Sequence, residues 1–238
     1  MNESEQNDGV PVTIEDDPTA RRELFPDRRT AGKRLAHALA QHLSANTLVI
    51  GLARGGIVVA DEIARTLELP LDVWLVRKIG VPFRPEIAMG ALAEGASLIV
   101  DRDIVAWTST TNMQLRNLVH HAAQQIRERA RRYRAGRPRP DVRNRDVFLV
   151  DDGIVTGGTL RAAIRSLRKC GAKRVVVAAP VAGPAALQVL AYEADEIVCL
   201  ARPLHLVSVG AWYADFHQVP DREVAYLLAS AAVGRPAR

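Results

Sequence analysis

Within Asp27 to Leu43 the apolar residues Leu35, Ala36, Leu39 and Leu43 fall at helical spacing, which predicts an amphipathic helix. Thr47 to Ala53 (TLVIGLA) is a short apolar run bounded by polar residues and glycine. Such a run suits a buried parallel strand. The loop Arg54-Gly55-Gly56 follows, then a predicted helix over Ile57 to Leu67 and a second strand over Leu71 to Val76. Further on, residues 111–134 read as one long helix that turns Arg-rich, stopped by Gly136, Pro138 and Pro140. Strands are predicted at Asp146 to Val150, Arg174 to Ala179 and Glu196 to Leu200, and helices at Thr159 to Lys169, Pro184 to Tyr192 and Asp221 to Ala232. Strands alternating with helices predict an α/β fold, a mostly parallel sheet flanked by helices.

Three stretches break this rhythm. Residues 1–20 have no apolar period and are read as a disordered acidic tail, leaving 21–238 as one domain. In residues 79–110, Gly80, Pro82 and Pro85 exclude a helix, and Ile87 to Val100 could form a hairpin turning near Glu94-Gly95. Residues 203–220 read as irregular and aromatic.

Composition narrows the function classes. At 238 residues the chain is long enough to bury a core without disulfides or a structural metal. Its two cysteines, Cys170 and Cys199, form no disulfide framework and belong to no cluster with zinc-site spacing. No apolar run approaches the ~20 residues of a membrane span. The start, MNESEQNDGV, is acidic and polar and is read as no secretory signal, so a reduced, cytoplasmic protein is expected. The net charge is +5, but the first 20 residues hold six acids and no Lys or Arg. The basic remainder points to an anionic ligand such as a phosphate or a nucleic acid.

Val147 to Leu160, VFLVDDGIVTGGTL, carries the most chemistry. A buried strand ends in Asp151 and Asp152. A loop with Gly153, Val155, Thr156, Gly157, Gly158 and Thr159 then enters a helix. Ligands of open α/β sheets bind at the carboxyl ends of strands. A Gly/Thr loop at a helix N-terminus offers free N–H groups and the positive end of the helix dipole, which suits a phosphate. Two adjacent carboxylates would repel a bare phosphate, but they suit a ligand that also presents hydroxyls or a developing positive charge. A phosphorylated sugar meets both demands. Other phosphate motifs are absent: no G-x-x-x-x-G-K-[ST] and no G-x-G-x-x-G after a strand.

This stretch resembles the phosphoribosyl-diphosphate (PRPP) motif of type I phosphoribosyltransferases. Gly153 departs from the family pattern, which usually has an aliphatic residue there. The resemblance implies the type I fold with a small hood and a mobile loop. It implies the loop at about 79–110, and the hood at about 203–220 with a contribution from 25–45. It assigns the PRPP 5′-phosphate to Gly153, Val155, Thr156, Gly157, Gly158 and Thr159. Pyrophosphate falls to Arg54, Gly55, Gly56, Arg77 and Lys78, and catalysis at the ribose to Asp151 and Asp152. Mg²⁺ is implied as cofactor, bridging pyrophosphate and ribose oxygens, with no protein ligand assigned to it. Trp212 and Tyr213, in a hood-like segment, are candidates for contacting the acceptor, although packing would explain them too. A homodimer is also expected.

Relatives acting on 6-oxopurines usually carry an acid where this chain has Val155, and a Lys near the hood where it has His205 or nothing. Hypoxanthine or guanine is therefore not the expected acceptor, which the sequence leaves unidentified. The expected activity is transfer of a phosphoribosyl group from PRPP with release of pyrophosphate. A second reading stays open. Residues 116–145 hold ten Arg against Glu128 and Asp141, as a non-catalytic PRPP- or nucleotide-sensing regulator contacting RNA or DNA would. Handling of another phosphorylated sugar is a third.

Overall fold

The computed structural model describes residues 12–14, 25–95 and 97–233. Its centre is a six-stranded parallel sheet, built from β1 (Val12–Ile14), β2 (Thr47–Leu52), β3 (Leu71–Trp74), β7 (Asp146–Val150), β8 (Arg174–Val181) and β9 (Glu196–Ala201). The order across it is β1-β9-β8-β7-β2-β3, which places β7 and β2 side by side near the middle. A smaller antiparallel sheet, in the order β4-β5-β6, comprises β4 (Val76–Val81), β5 (Arg84–Ala93) and β6 (Ser97–Val100).

Strand β7 shows why the sequence folds into layers. Successive side chains of a strand point to opposite faces. Val147 and Leu149 join one apolar cluster while Phe148 and Val150 join the other, and all four are fully buried. The first cluster also takes residues of α5 (Gly158–Lys169) and α6 (Pro184–Ala191). On the other face lie α1 (Arg28–Leu39), α2 (Gly55–Thr66), α4 (Asn112–Arg134) and α7 (Asp221–Ala232). The outer side of α5 is polar, with Arg161 and Arg165 on Glu193 and Arg168 on Asp195.

One expectation is corrected. Val12–Ile14, placed in a disordered tail, forms β1, which pairs in parallel with β9 from Val12 opposite Ile197 to Ile14 opposite Cys199. All three of its residues are β-branched, and the edge of β9 offers unpaired backbone groups. The remainder of residues 1–20 lies outside the described residues. Residues 79–110, implied as a mobile loop, hold the end of β4, β5, β6 and a short helix, α3 (Arg102–Trp107), and β5 and β6 form the hairpin expected within Ile87 to Val100, turning at Glu94-Gly95.

Helix α4 is clamped at both ends. A capping box of Thr111 and Gln114 starts it. At its far end Arg134, 2% exposed, donates to Asp72 (3.1 Å), to both oxygens of Glu94 (2.9 and 2.7 Å) and to the carbonyl of Val73 (2.6 Å). The N–H groups of Val73 and Leu75 donate to the same two carboxylates, at 2.7 and 2.9 Å. This node ties α4 to both sheets.

Candidate active site

The candidate site forms where β2 and β7 end. Beyond Val150 the Asp151 N–H donates to the Ala178 carbonyl (3.1 Å), and the Asp152 N–H donates to the Asp151 carboxylate (3.0 Å). Ile154 pins the loop onto the next strand, with its N–H on Val181 O and its carbonyl accepting from Gly183 N, both 2.9 Å. Gly157 adopts φ 73° and precedes α5, whose first turn has no side-chain cap. The opening N–H groups of a helix have no intrahelical partner. This turn therefore presents free donors and the positive end of a dipole beside Thr156 and Thr159.

The loop after β2 lies directly on the carboxylates. A Cβ on Gly55 would stand 1.8 Å from Asp152 Oδ2, and one on Gly56 would stand 2.7 Å from the Val150 carbonyl. Only glycine permits that approach. The Ala53–Arg54 peptide bond is cis. At Gly153 a Cβ would meet Val209 Cγ1 at 2.5 Å. That contact accounts for glycine where the related motif has an aliphatic residue: a side chain of the 203–220 segment fills the space instead.

The two acids differ. Asp152 accepts from Arg28 Nε at 2.8 Å. The Arg28 guanidinium also donates to the His217 carbonyl (2.9 Å) and lies 3.8 Å from the Phe216 ring centroid. Burial pushes the Asp151 carboxyl well above the usual carboxylate range, and the neighbouring Asp152 raises it further; the Lys78 charge works the other way. Arg77 and Lys78 thus part company on β4. The charge of Lys78 is felt at Asp151, whereas Arg77 turns toward Arg129 and Tyr133 of α4.

The segment over the site is built from both ends of the domain. Phe25 N donates to Trp212 O (2.9 Å), Ala214 N to Phe25 O (2.8 Å) and Asp215 N to Pro26 O (2.9 Å). Tyr213, a candidate for contacting an acceptor, is 5% exposed, with its ring packed on Phe25 and Phe216. Its hydroxyl donates to the Asp152 carbonyl at 2.6 Å. Burial keeps that phenol protonated as a donor. The structure makes Tyr213 an anchor for the acid loop rather than a stacking face. Trp212 packs partly buried against the core.

Arg28 escaped the sequence reading. Its one cue was a cation in the first turn of a helix, where the dipole disfavours it. The Arg-rich stretch is largely committed to the protein itself. Arg132, Arg134 and Arg143 pair with acids, Arg137 and Arg145 donate to backbone carbonyls, and Arg139 lies over Trp74. Among the described residues no group of three or more His, Cys, Asp or Glu could hold a metal ion. The Asp151–Asp152 pair offers hard oxygens that suit Mg²⁺ when a ligand's phosphates and water complete the shell.

In this parallel α/β sheet a carboxylate pair, a glycine loop and an uncapped helix start converge at the strand ends, the place where sheets of this class bind ligands. The chain belongs to the phosphoribosyl transferase domain family, whose model matches residues 27–202. A "Putative phosphoribosyl transferase" of Mycobacterium tuberculosis, found in strains CDC 1551 and H37Rv, is 42% identical over 205 residues, 86% of this chain. The chain spans about half the length (46%) of those curated relatives. The crystal structure of TT1426 from Thermus thermophilus is 44% identical, with TM-score 0.74 over 86% of this chain and 97% of that one. Among the described residues no helix is long and apolar enough to cross a membrane.

Proposed function

We propose that the protein transfers the phosphoribosyl group of PRPP to an acceptor other than hypoxanthine or guanine and releases pyrophosphate. The observation that carries this reading is the Asp151–Asp152 pair held against the Gly55-Gly56 backbone beside the uncapped start of α5. The N–H groups of that turn, with the hydroxyls of Thr156 and Thr159, would take the 5′-phosphate. Asp152, oriented by Arg28 and Tyr213, would accept from ribose hydroxyls. As the bond from C1′ to the pyrophosphate oxygen breaks, positive charge develops on the sugar, and the two carboxylates favour it. The acceptor forms the new bond to C1′ and gives up its proton. Arg54 and Lys78 would offset charge on the departing pyrophosphate.

Mg²⁺ would be held by the Asp151 and Asp152 oxygens together with those of the ligand, and would supply charge neutralisation at the pyrophosphate. The exposed Val155 offers no acid to exchange a proton with a 6-oxopurine, which supports a different acceptor. The regulator reading loses ground because six arginines of the 116–145 stretch already have protein partners.

Calorimetric titration of PRPP with Mg²⁺, followed by a screen of bases and small amines for pyrophosphate release, tests the proposal. Saturable PRPP binding and release with one acceptor class are expected. No PRPP binding in the presence of Mg²⁺ would overturn it.

A further inference from the structure

A groove of about 1080 Å³ runs between α4, the turn of the β5–β6 hairpin and residues 138–143. None of the residues assigned above to the PRPP site lines it. From α4 it takes Val119, Ala123, Ile126 and Ala130, whose helical spacing puts them on one stripe. At 1.5 Å per residue that stripe runs roughly 16 Å. Ile126 is buried, while Val119, Ala123 and Ala130 are only half covered by the core they pack on. Pro138 and Pro140 also line the groove and have no N–H to offer a ligand. Among the described residues that line it there is no aromatic ring. Such a surface suits a flexible aliphatic chain better than a planar base, which needs stacking faces and a hydrogen-bonding edge.

The charges of the groove are one-sided. Glu94 is answered by Arg134 and Asp141 by Arg143, both at 2.7 Å. Arg127 and Arg139 line the groove as well, and among the described residues neither pairs with a carboxylate. The Arg139 guanidinium lies 5.3 Å from the Trp74 ring centroid. Gly95, at φ 82°, lets two lining side chains close in: a Cβ there would stand 2.8 Å from Arg139 Nη1 and 2.8 Å from Cys170 Sγ. Two cations beside an exposed apolar stripe complement an anion that carries an aliphatic chain.

We propose that this groove binds a free fatty-acid anion, with its chain along the α4 stripe and its carboxylate against Arg127 and Arg139. The site does not depend on the phosphoribosyl-transfer reading.

Cys170 supplies a local readout, since it lines the groove while Cys199 is fully buried. Maleimide labelling of Cys170 is followed with and without laurate below its micellar concentration, and laurate is titrated by calorimetry. Wild type, Ala123→Trp and the double variant Arg127→Gln/Arg139→Gln are compared as full-length proteins, each checked by a thermal melt. Laurate should bind wild type and slow the labelling. Ala123→Trp fills the groove and should weaken binding at least about tenfold. The double variant should also lose at least about tenfold, and should then bind laurate no better than dodecanol. Octanoate, four methylenes shorter, should bind wild type at least about tenfold more weakly than laurate. If Ala123→Trp does not fold, the chain-length comparison and the double variant decide. Absence of laurate binding overturns the proposal, as does equal affinity in folded Ala123→Trp or for octanoate. A wild-type dimer in sedimentation that Ala123→Trp splits also overturns it and gives the groove to a second copy. Retention on anionic phospholipid vesicles without affinity for monomeric laurate overturns it in favour of a membrane surface. A failed transfer reading looks different: no variant binds PRPP, while the groove-dependent laurate titration remains.

Discussion

The acid pairs Asp72–Glu94 and Asp151–Asp152 each meet an arginine, and they do so to different ends. At the foot of α4, Arg134 reaches both Asp72 and Glu94, while backbone N–H groups of Val73 and Leu75 answer the same acids. At the end of β7, Arg28 reaches Asp152 only, and Asp151 keeps a carboxyl that burial and its neighbour hold toward the protonated form. The first cluster is complete within the chain. The second has capacity to spare, and a ligand with hydroxyls or positive charge can use it. The difference lies in the acid left over: Asp72 and Glu94 both meet Arg134, whereas Asp151 has no arginine of its own.

The sharpest way to break this comparison is to remove the arginine of the complete cluster. Arg134→Met leaves Asp72 and Glu94 buried without their counter-ion and should destabilise the fold by about 3–5 kcal/mol. For a chain of this size that lowers the melting temperature by roughly 6–20 °C. Urea and thermal unfolding measure it. A loss below about 1 kcal/mol would mean that the node is not what holds α4.

Asp152→Asn probes the other cluster, and its effect should fall on ligand affinity more than on the fold. Losing a charge-assisted contact to a ribose hydroxyl typically costs about 1.5–3 kcal/mol, roughly ten- to a hundred-fold in PRPP affinity. Calorimetry with Mg²⁺ reads it. Unchanged affinity in the folded variant would detach Asp152 from the sugar.

Asp151→Asn should give the smallest change and the opposite sign. A carboxyl whose pKa is raised in the fold contributes stability below its ordinary pKa of about 3.9, and that contribution is lost as pH rises through the raised value. The amide escapes this loss. The variant should therefore be more stable than wild type at neutral pH, by roughly 0.5–2 kcal/mol. Near pH 4 the two should converge. Urea midpoints at both pH values decide it, and a variant less stable at neutral pH would contradict the raised pKa.

Much of this was legible in the sequence wherever the signal is local. The run DVFLV gave β7 with both boundaries, and Asp221 to Ala232 gave α7 likewise. The acids and the Gly/Thr loop are contiguous, so their pattern could be seen before any fold was known. What stayed hidden depends on distance along the chain or on weak local pattern. Arg28 meets Asp152 across 124 residues. Tyr213 looked like a stacking ring because its partner, a backbone carbonyl, carries no sequence signal. Strand β1 is three residues long, too short for a period to show. Arg77 and Lys78 looked equivalent until β4 turned them apart.

The clasp between Phe25 and Tyr213 has a consequence for biosynthesis. Phe25 is made early, and its partner follows 188 residues later. At about 5–20 residues per second, the interval is roughly 10–40 s. During it the strands that frame the acid loop can already assemble on the ribosome. Arg28 and the Asp152 carbonyl meanwhile wait for His217 and Tyr213. A nascent or prematurely terminated chain thus owns the carboxylates without the cover that orients them, so the fold itself delays a finished site until nearly all of the domain has been translated.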